Sequence, residues 1–335
     1  MSIQDALLQK NIKYAKKGIS IGAIAGMLWG LGGVIIALAF SKEPFNSFSH
    51  LSLYIVPLVG ACVTDLISGT STFLINIYNG KAKEYLRVIR TKPGKFIMLA
   101  SVFGGPIAMS GYYVGLYLAG PFYAMAVTAV YPAVGAILSR IFLKEKISKN
   151  AWFGILLCIV GAIVVSYVAP TGDAYPNFYI GILACLLATI GWGLEGVLCA
   201  YGMDLVDPDL AIGIRWFTSF TLYFVAVLPF VAGIGVAGYE LFMKSLASPT
   251  IILLIAGALV NAISYFWYYS SINMSGVSRA LALMITYALW GVIFGWIFTG
   301  SATVTINIIV GAVIIVIGAL LVAGKPSELI KIRDN

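Results

Sequence analysis

Ten separate apolar runs, each about as long as a membrane is thick, leave this sequence little choice of fold. They cover approximately residues 18–40, 51–77, 96–118, 121–143, 151–169, 178–203, 210–235, 249–272, 277–299 and 304–324. About 20 apolar residues, rising about 1.5 Å each, cross the roughly 30 Å of bilayer hydrocarbon. Lipid offers backbone N–H and C=O groups no partners, so runs of this length are helices that satisfy themselves. The chain therefore reads as an all-α membrane protein with ten transmembrane helices. Its composition agrees, with 61% hydrophobic and 10% charged residues against roughly 25% charged in a soluble domain.

Lys and Arg gather in cytoplasmic loops and ends. With the N-terminus inside, 19 of the 21 Lys and Arg residues fall on the cytoplasmic side, Arg215 and Arg279 being assigned to interior helix starts and only Lys42 and Lys244 to the exterior. Both termini are then cytoplasmic and the protein is a multi-pass component of the cell (inner) membrane. The net charge of +8 faces anionic lipid headgroups and has no single basic patch, so nucleic acid is not an expected partner. The Lys-rich residues 10–17 precede an apolar run too long for a cleaved signal peptide. Cys62, Cys158, Cys185 and Cys199 all lie inside spans without paired spacing or His partners, and His50 is alone. No metal site, disulfide or cofactor is implied. The absence of GxxxxGK[ST] gives no sign of ATP hydrolysis.

The sequence repeats. WGLGG at 29–33 aligns with WGLEG at 192–196, placing Trp29 opposite Trp192 at an offset of 163. Tyr131, Gly135 and Phe142 fall opposite Tyr287, Gly291 and Phe298 at 156, and Gly154 and Gly161 opposite Gly311 and Gly318 at 157. Five spans per copy make the second copy enter the membrane from the other side, giving two inverted five-helix repeats. The divisions are a cytoplasmic segment 1–17, repeats at 18–169 and 178–324, and a cytoplasmic tail 325–335. Gly22, Gly26 and Gly30 recur every four residues and mark a close-packing stripe. Pro57, Pro106, Pro132 and Pro229 are expected inside spans, as kinks.

Depth picks out the candidate site. Trp29, Asp65, Tyr131, Trp192, Tyr265 and Tyr287 all fall near the middle of their runs, whereas Trp and Tyr ordinarily collect at headgroup level. An acidic side chain there costs on the order of 2.5–3.5 kcal/mol on insertion scales, so it is expected to face protein or water and to be used. Glu195 is three residues after Trp192, on the same helical face, while Trp29 has Gly32 in that place. One half would supply an anion and the other space. Asp65 starts a stripe with Gly69, Thr72 and Asn76 that reads either as a water or proton path or as structural. Asn261, Tyr265 and Tyr268 share a face, as do Tyr287 and Trp290. Aromatic faces with one carboxylate suit a quaternary ammonium, held by cation–π attraction and one counter-charge. With no Lys or Arg assigned to mid-depth, an amino acid's carboxylate would lack a partner.

The WG early in each half and AVYPAVGAILSRIFLKEKIS at 129–148 resemble the drug/metabolite transporter superfamily, in its EamA-like branch. FYIGILACLLATIGWGLEGVL at 178–198, GIRWFTSF at 213–220, ISYFWYYSSIN at 263–273 and ITYALWGVIF at 285–294 are similar to bacterial choline permeases of the phosphorylcholine-decoration loci. That resemblance implies a secondary transporter importing choline by alternating access. Its aromatic cage would involve Trp29, Tyr131, Trp192, Glu195, Tyr265, Tyr268, Tyr287 and Trp290, with Glu195 and Asp65 as candidates for proton coupling. The rivals are an exporter of amino acids, drugs or other metabolites on the same fold, and a membrane-embedded lipid-modifying enzyme. The expected partners are choline and the bilayer, and pairing into a homodimer stays open.

Overall fold

Each of the ten apolar runs carries a helix, and no strand occurs among the described residues. The structure, a computed structural model, describes residues 3–48, 54–119, 124, 127–165, 167, 177–230, 235–299 and 306–323. The expected tail at 325–335 and His50 lie outside them. The principal helices are α1 (Ile3–Phe40), α2 (Ile55–Tyr78), α3 (Lys92–Val102, a π turn Phe103–Ile107, then Ala108–Ala119), α4 (Tyr131–Phe142) and α5 (Lys149–Val165). They continue with α6 (Phe178–Gly202), α7 (Pro208–Leu222, a π turn Tyr223–Val227, then Leu228–Phe230), α8 (Ile251–Ser275), α9 (Val277–Met284 and Tyr287–Thr299) and α10 (Ile306–Ala323). Seven helical stretches, in α1, α2, α3, α6, α7, α8 and α9, are long and apolar enough to cross a bilayer. The helices α4, α5 and α10 are apolar but shorter.

Several boundaries differ from the sequence expectations. The first helix is described from Ile3, so residues 3–17 of the expected cytoplasmic segment are helical and run into the rest of α1 without a break. Its 38 residues reach about 57 Å, well beyond the hydrocarbon thickness. An unanticipated helix, Gly235–Ala247, buries Leu241 and Phe242. Of the four prolines expected to kink spans, Pro132 instead sits in the first turn of α4 and Pro57 in the first turn of α2, where a missing N–H costs nothing. Pro106 does interrupt its helix, within the π turn of α3.

Small residues set the packing. Along α1, a Cβ on Gly18 or Gly22 would strike Met274 or Ser271 of α8, and one on Gly26 or Gly30 would strike Thr286 or Trp290. The expected stripe is thus the seam on which α1 meets α8 and α9. Helices α3 and α6 meet the same way, Gly111 lying against the Ala184 carbonyl and Gly115 against Cys185. At the far end α5 and α10 cross with Gly154 against the Gly318 carbonyl and Gly161 against that of Gly311, while the Cys158 thiol donates to the Ile315 carbonyl (3.8 Å). Helix α9 is broken by a turn at 285–286, and a turn at 129–130 likewise precedes α4. Each break is followed by a tyrosine, Tyr131 or Tyr287.

Candidate functional site

A cavity of about 280 Å³ opens among the helices, walled by residues from α1, α2, α3, α4, α6, α7, α8 and α9. It takes in Trp29, Tyr131, Trp192, Glu195, Tyr265, Tyr268 and Tyr287, together with Asp65. Seven of the eight residues expected to bind substrate thus meet in one place. Trp290 lies off the cavity wall, stacked on Phe294 (6.1 Å) and packed against Gly30. From the level of Tyr268 and Met284 the cavity extends along α1 to Phe40 and along α2 to Gly60.

Glu195 is held by its surroundings from several sides. It is 2% exposed and sits over Gly104, where a Cβ would fall on its carboxyl group. Gly104 belongs to the π turn of α3, and its carbonyl accepts the Trp192 indole N–H at 3.1 Å. The π turn and its glycine therefore receive both members of the Trp192–Glu195 face, which is the kind of use π turns have at functional sites. The Tyr269 hydroxyl also donates to Glu195 Oε1 (3.4 Å) and accepts from the Cys199 thiol (2.9 Å).

The main partner of Glu195 is one the sequence reading placed elsewhere. Arg215 Nε donates to Glu195 Oε1 at 3.0 Å, and Arg215 Nη1 lies 3.7 Å from Asp65 Oδ1. The guanidinium is 3% exposed and lies 4.2 Å from the Trp216 ring centroid and 4.8 Å from that of Tyr265. The expectation of no Lys or Arg at mid-depth is thus corrected. Arg215 was assigned to a helix start because the apolar run begins near residue 210. The helix begins at Pro208, after Asp207, and so Arg215 stands two turns inside. Asp at the N-cap and Pro at the first helical position are a readable start signal, and they would have found it.

The aromatics divide into two groups. Tyr265 is in ring contact with Trp29 (4.9 Å), Trp216 (5.0 Å) and Tyr268 (5.5 Å), and this group covers Arg215. Trp192 is in contact with Tyr112 (5.7 Å) and Tyr131 (5.8 Å). Tyr112, Tyr113, Trp216, Tyr223 and Asn261 also line the wall and were not proposed from sequence as ligand contacts. Trp216 Nε1 and Asn261 Oδ1 are buried without a hydrogen-bond partner among the described residues. Gly32 does not supply cavity space as expected, since a Cβ there would meet Asn261 Oδ1, whereas one on Gly33 would meet nothing. The stripe from Asp65 leaves the cavity after Ser68. Gly69 packs on Phe217, and Asn76 Nδ2 donates to the Asp209 carbonyl (3.0 Å). It is a packed α2–α7 seam.

That seam ends in a charged tie. Lys81 Nζ donates to Asp209 Oδ2 (2.7 Å) and Asp207 Oδ2 (2.9 Å), joining the end of α2 to the start of α7. The bonds to Asp209 and Asp207 hold the Lys81 ammonium well above the usual lysine range. At the same end, Glu145 accepts from the Val277 and Ser278 amides (2.6 and 3.2 Å), capping the start of α9.

The EamA-like transporter family matches residues 16–167 and 179–324. The chain belongs to that family. Among its relatives, the chain is 24% identical over 287 residues to Protein LicB of Haemophilus influenzae, covering 84% of this chain and 89% of that one. It is 28% identical over 185 residues to the uncharacterized transporter YdfC of Bacillus subtilis, 54% of this chain and 56% of that one. A crystal structure of a protein superposes on 91% of this chain and 96% of its own with a TM-score of 0.68 at 17% identity, a likeness of fold. As a member of the EamA-like transporter family the chain is a membrane protein. Among the described residues no group of three His, Cys, Asp or Glu side chains is placed to hold a metal ion.

Proposed function

We propose that this EamA-like protein is a secondary transporter that imports choline, or a quaternary ammonium much like it, by alternating access. One observation carries the reading. The cavity is walled by aromatic faces, and its charged side chains are two carboxylates and one guanidinium, which leaves a single unit of negative charge for a ligand. A quaternary ammonium has no N–H to donate, so ring faces and a counter-charge are what it needs. The aromatic group of Trp192, Tyr112 and Tyr131 would take it, because the group around Tyr265 already holds Arg215. Asn261 supplies a buried polar group for a hydroxyl. A volume of about 280 Å³ is at the small end for ligand pockets, in keeping with a solute of a few heavy atoms. The presence of Arg215 removes the reason for disfavouring carboxylate-bearing solutes, but its bond to Glu195 and its ion pair with Asp65 leave it already paired.

The reading includes ten spans in two inverted repeats. Supporting it, the family matches the chain in two segments of similar length. Gly154 and Gly161 align with Gly311 and Gly318, and they pack crosswise, Gly154 on Gly318 and Gly161 on Gly311. That is the reciprocal contact a two-fold axis generates. The aligned pair Cys158 and Ile315 touch each other, as residues on such an axis would. The breaks before Tyr131 and Tyr287 fit the discontinuous helices that flank transporter sites.

With both termini in the cytoplasm of an inner-membrane protein, the Phe40 and Gly60 end of the cavity is exterior and the Lys81 tie closes the interior. Membrane potential would drive a cation inward, and Glu195 and Asp65 are the groups that could exchange a proton for it. The test is calorimetry of the purified chain with choline and with a panel of amino acids. Saturable binding of choline supports the reading, and binding of amino acids without choline overturns it.

A further inference from the structure

We infer that the formal charge summed over Asp65, Arg215 and Glu195 sets the charge type of solute the cavity accepts, and that Arg215 is the specificity-determining member because it cancels one of the two carboxylates. The inference rests on the proposed cation site and goes beyond it. The three side chains come from three helices, α2, α7 and α6, and are 5%, 3% and 2% exposed. All three line the same cavity. Arg215 is bonded to Glu195 at 3.0 Å and lies 3.7 Å from Asp65, so its charge is spent on both. Every other cavity-lining side chain is uncharged or a tyrosine.

A buried charge left without a partner is strongly unfavourable, and charges in such a wall act on one another with little screening. The complex that forms best is therefore the one that brings the triad plus ligand to neutrality. With all three groups ionised the triad carries one net negative charge, which a monocation balances, a dication overshoots and a zwitterion leaves uncompensated. Two substitutions shift that count in opposite directions. Arg215→Gln leaves two negative charges and favours a dication. Asp65→Asn leaves none and favours a zwitterion. Such selectivity works by penalising the wrong valence as much as by rewarding the right one.

The experiment compares, within each purified full-length variant, the affinities for choline, glycine betaine and an aminopropyl-trimethylammonium dication, all of which share one head group. Ratios within a variant cancel any loss of folded protein. In the wild type choline binds best. The dication-to-choline ratio rises on the order of tenfold or more in Arg215→Gln, and the betaine-to-choline ratio does so in Asp65→Asn. Arg215→Lys keeps the wild-type order. If Arg215→Gln does not fold, the Asp65→Asn ratio decides. A wild type that binds choline while these ratios stay unchanged overturns the inference alone. A wild type that binds no choline overturns the functional reading beneath it.

Discussion

Trp192 and Glu195 are the residues on which the sequence was most informative. Their spacing of three put ring and carboxylate on one face, and the structure keeps them together over the π turn of α3. If choline sits on the Trp192 ring as proposed, Trp192→Ala should remove one desolvated cation–π face, worth about 2 kcal/mol or roughly thirtyfold in choline affinity. Trp192→Phe, keeping a ring but losing the bond to Gly104, should fall between. Titration of purified variants measures this, and wild-type affinity in Trp192→Ala would make the indole a packing element only. Gly104→Ala is a second probe, because it alters no charge, its new Cβ would meet the Glu195 carboxyl group, and its carbonyl stays available to Trp192. We expect choline affinity to fall about tenfold as the carboxyl group is displaced. Unchanged affinity would mean that Glu195 does not meet the ligand. Arg215 was missed for a physical reason. A basic residue near a predicted helix end is ordinarily a topological signal, and only the true start at Pro208 makes it a buried one.

At the scale of helices, each apolar run picked out by its length carries a helix, seven of them long enough to cross a bilayer, and the Gly22, Gly26 and Gly30 stripe announced a close seam. Periodicity could not say which helix lies across that seam, since lipid-facing and protein-facing apolar residues look alike in sequence. For the same reason the stripe from Asp65 to Asn76 was read as a path or as structure with equal right, and it is the α2–α7 packing seam that ends in the Lys81 tie. Because Lys81's ammonium is held above its ordinary range by Asp209 and Asp207, its stabilising contribution is complete below the usual lysine pKa. It is lost only as pH rises through the raised value. The tie thus persists across neutral pH, and substitution is the way to release it. Partly exposed ion pairs contribute about 0.2–1 kcal/mol each, so Lys81→Ala, which breaks two of them, should raise the population open at this end by roughly twofold to thirtyfold. Faster labelling of a cysteine placed at Thr72, beneath the tie, would register the change in a background lacking the native cysteines. An unchanged labelling rate would show that the tie does not hold this end shut.

For the molecule as a whole, the proposed two-fold arrangement of five-helix halves around a central cavity would explain why the sequence repeat and the site belong together. Residues aligned by the repeat, Tyr131 with Tyr287 and Trp29 with Trp192, arrive on the same cavity wall from opposite halves. On the proposed alternating-access reading the halves would exchange roles, the end tied at Lys81 opening while the end at Phe40 closes. A cation carried inward through such a cycle moves charge across the membrane, and each charge gains about 2.3 kcal/mol per 100 mV. The most direct measurement is choline uptake into proteoliposomes containing the purified full-length chain, with an imposed inside-negative potential. The expected result is saturable choline uptake that accelerates with the potential, while neutral amino acids enter slowly. Amino-acid flux without choline flux, or no response of choline flux to the potential, would contradict a potential-driven choline importer.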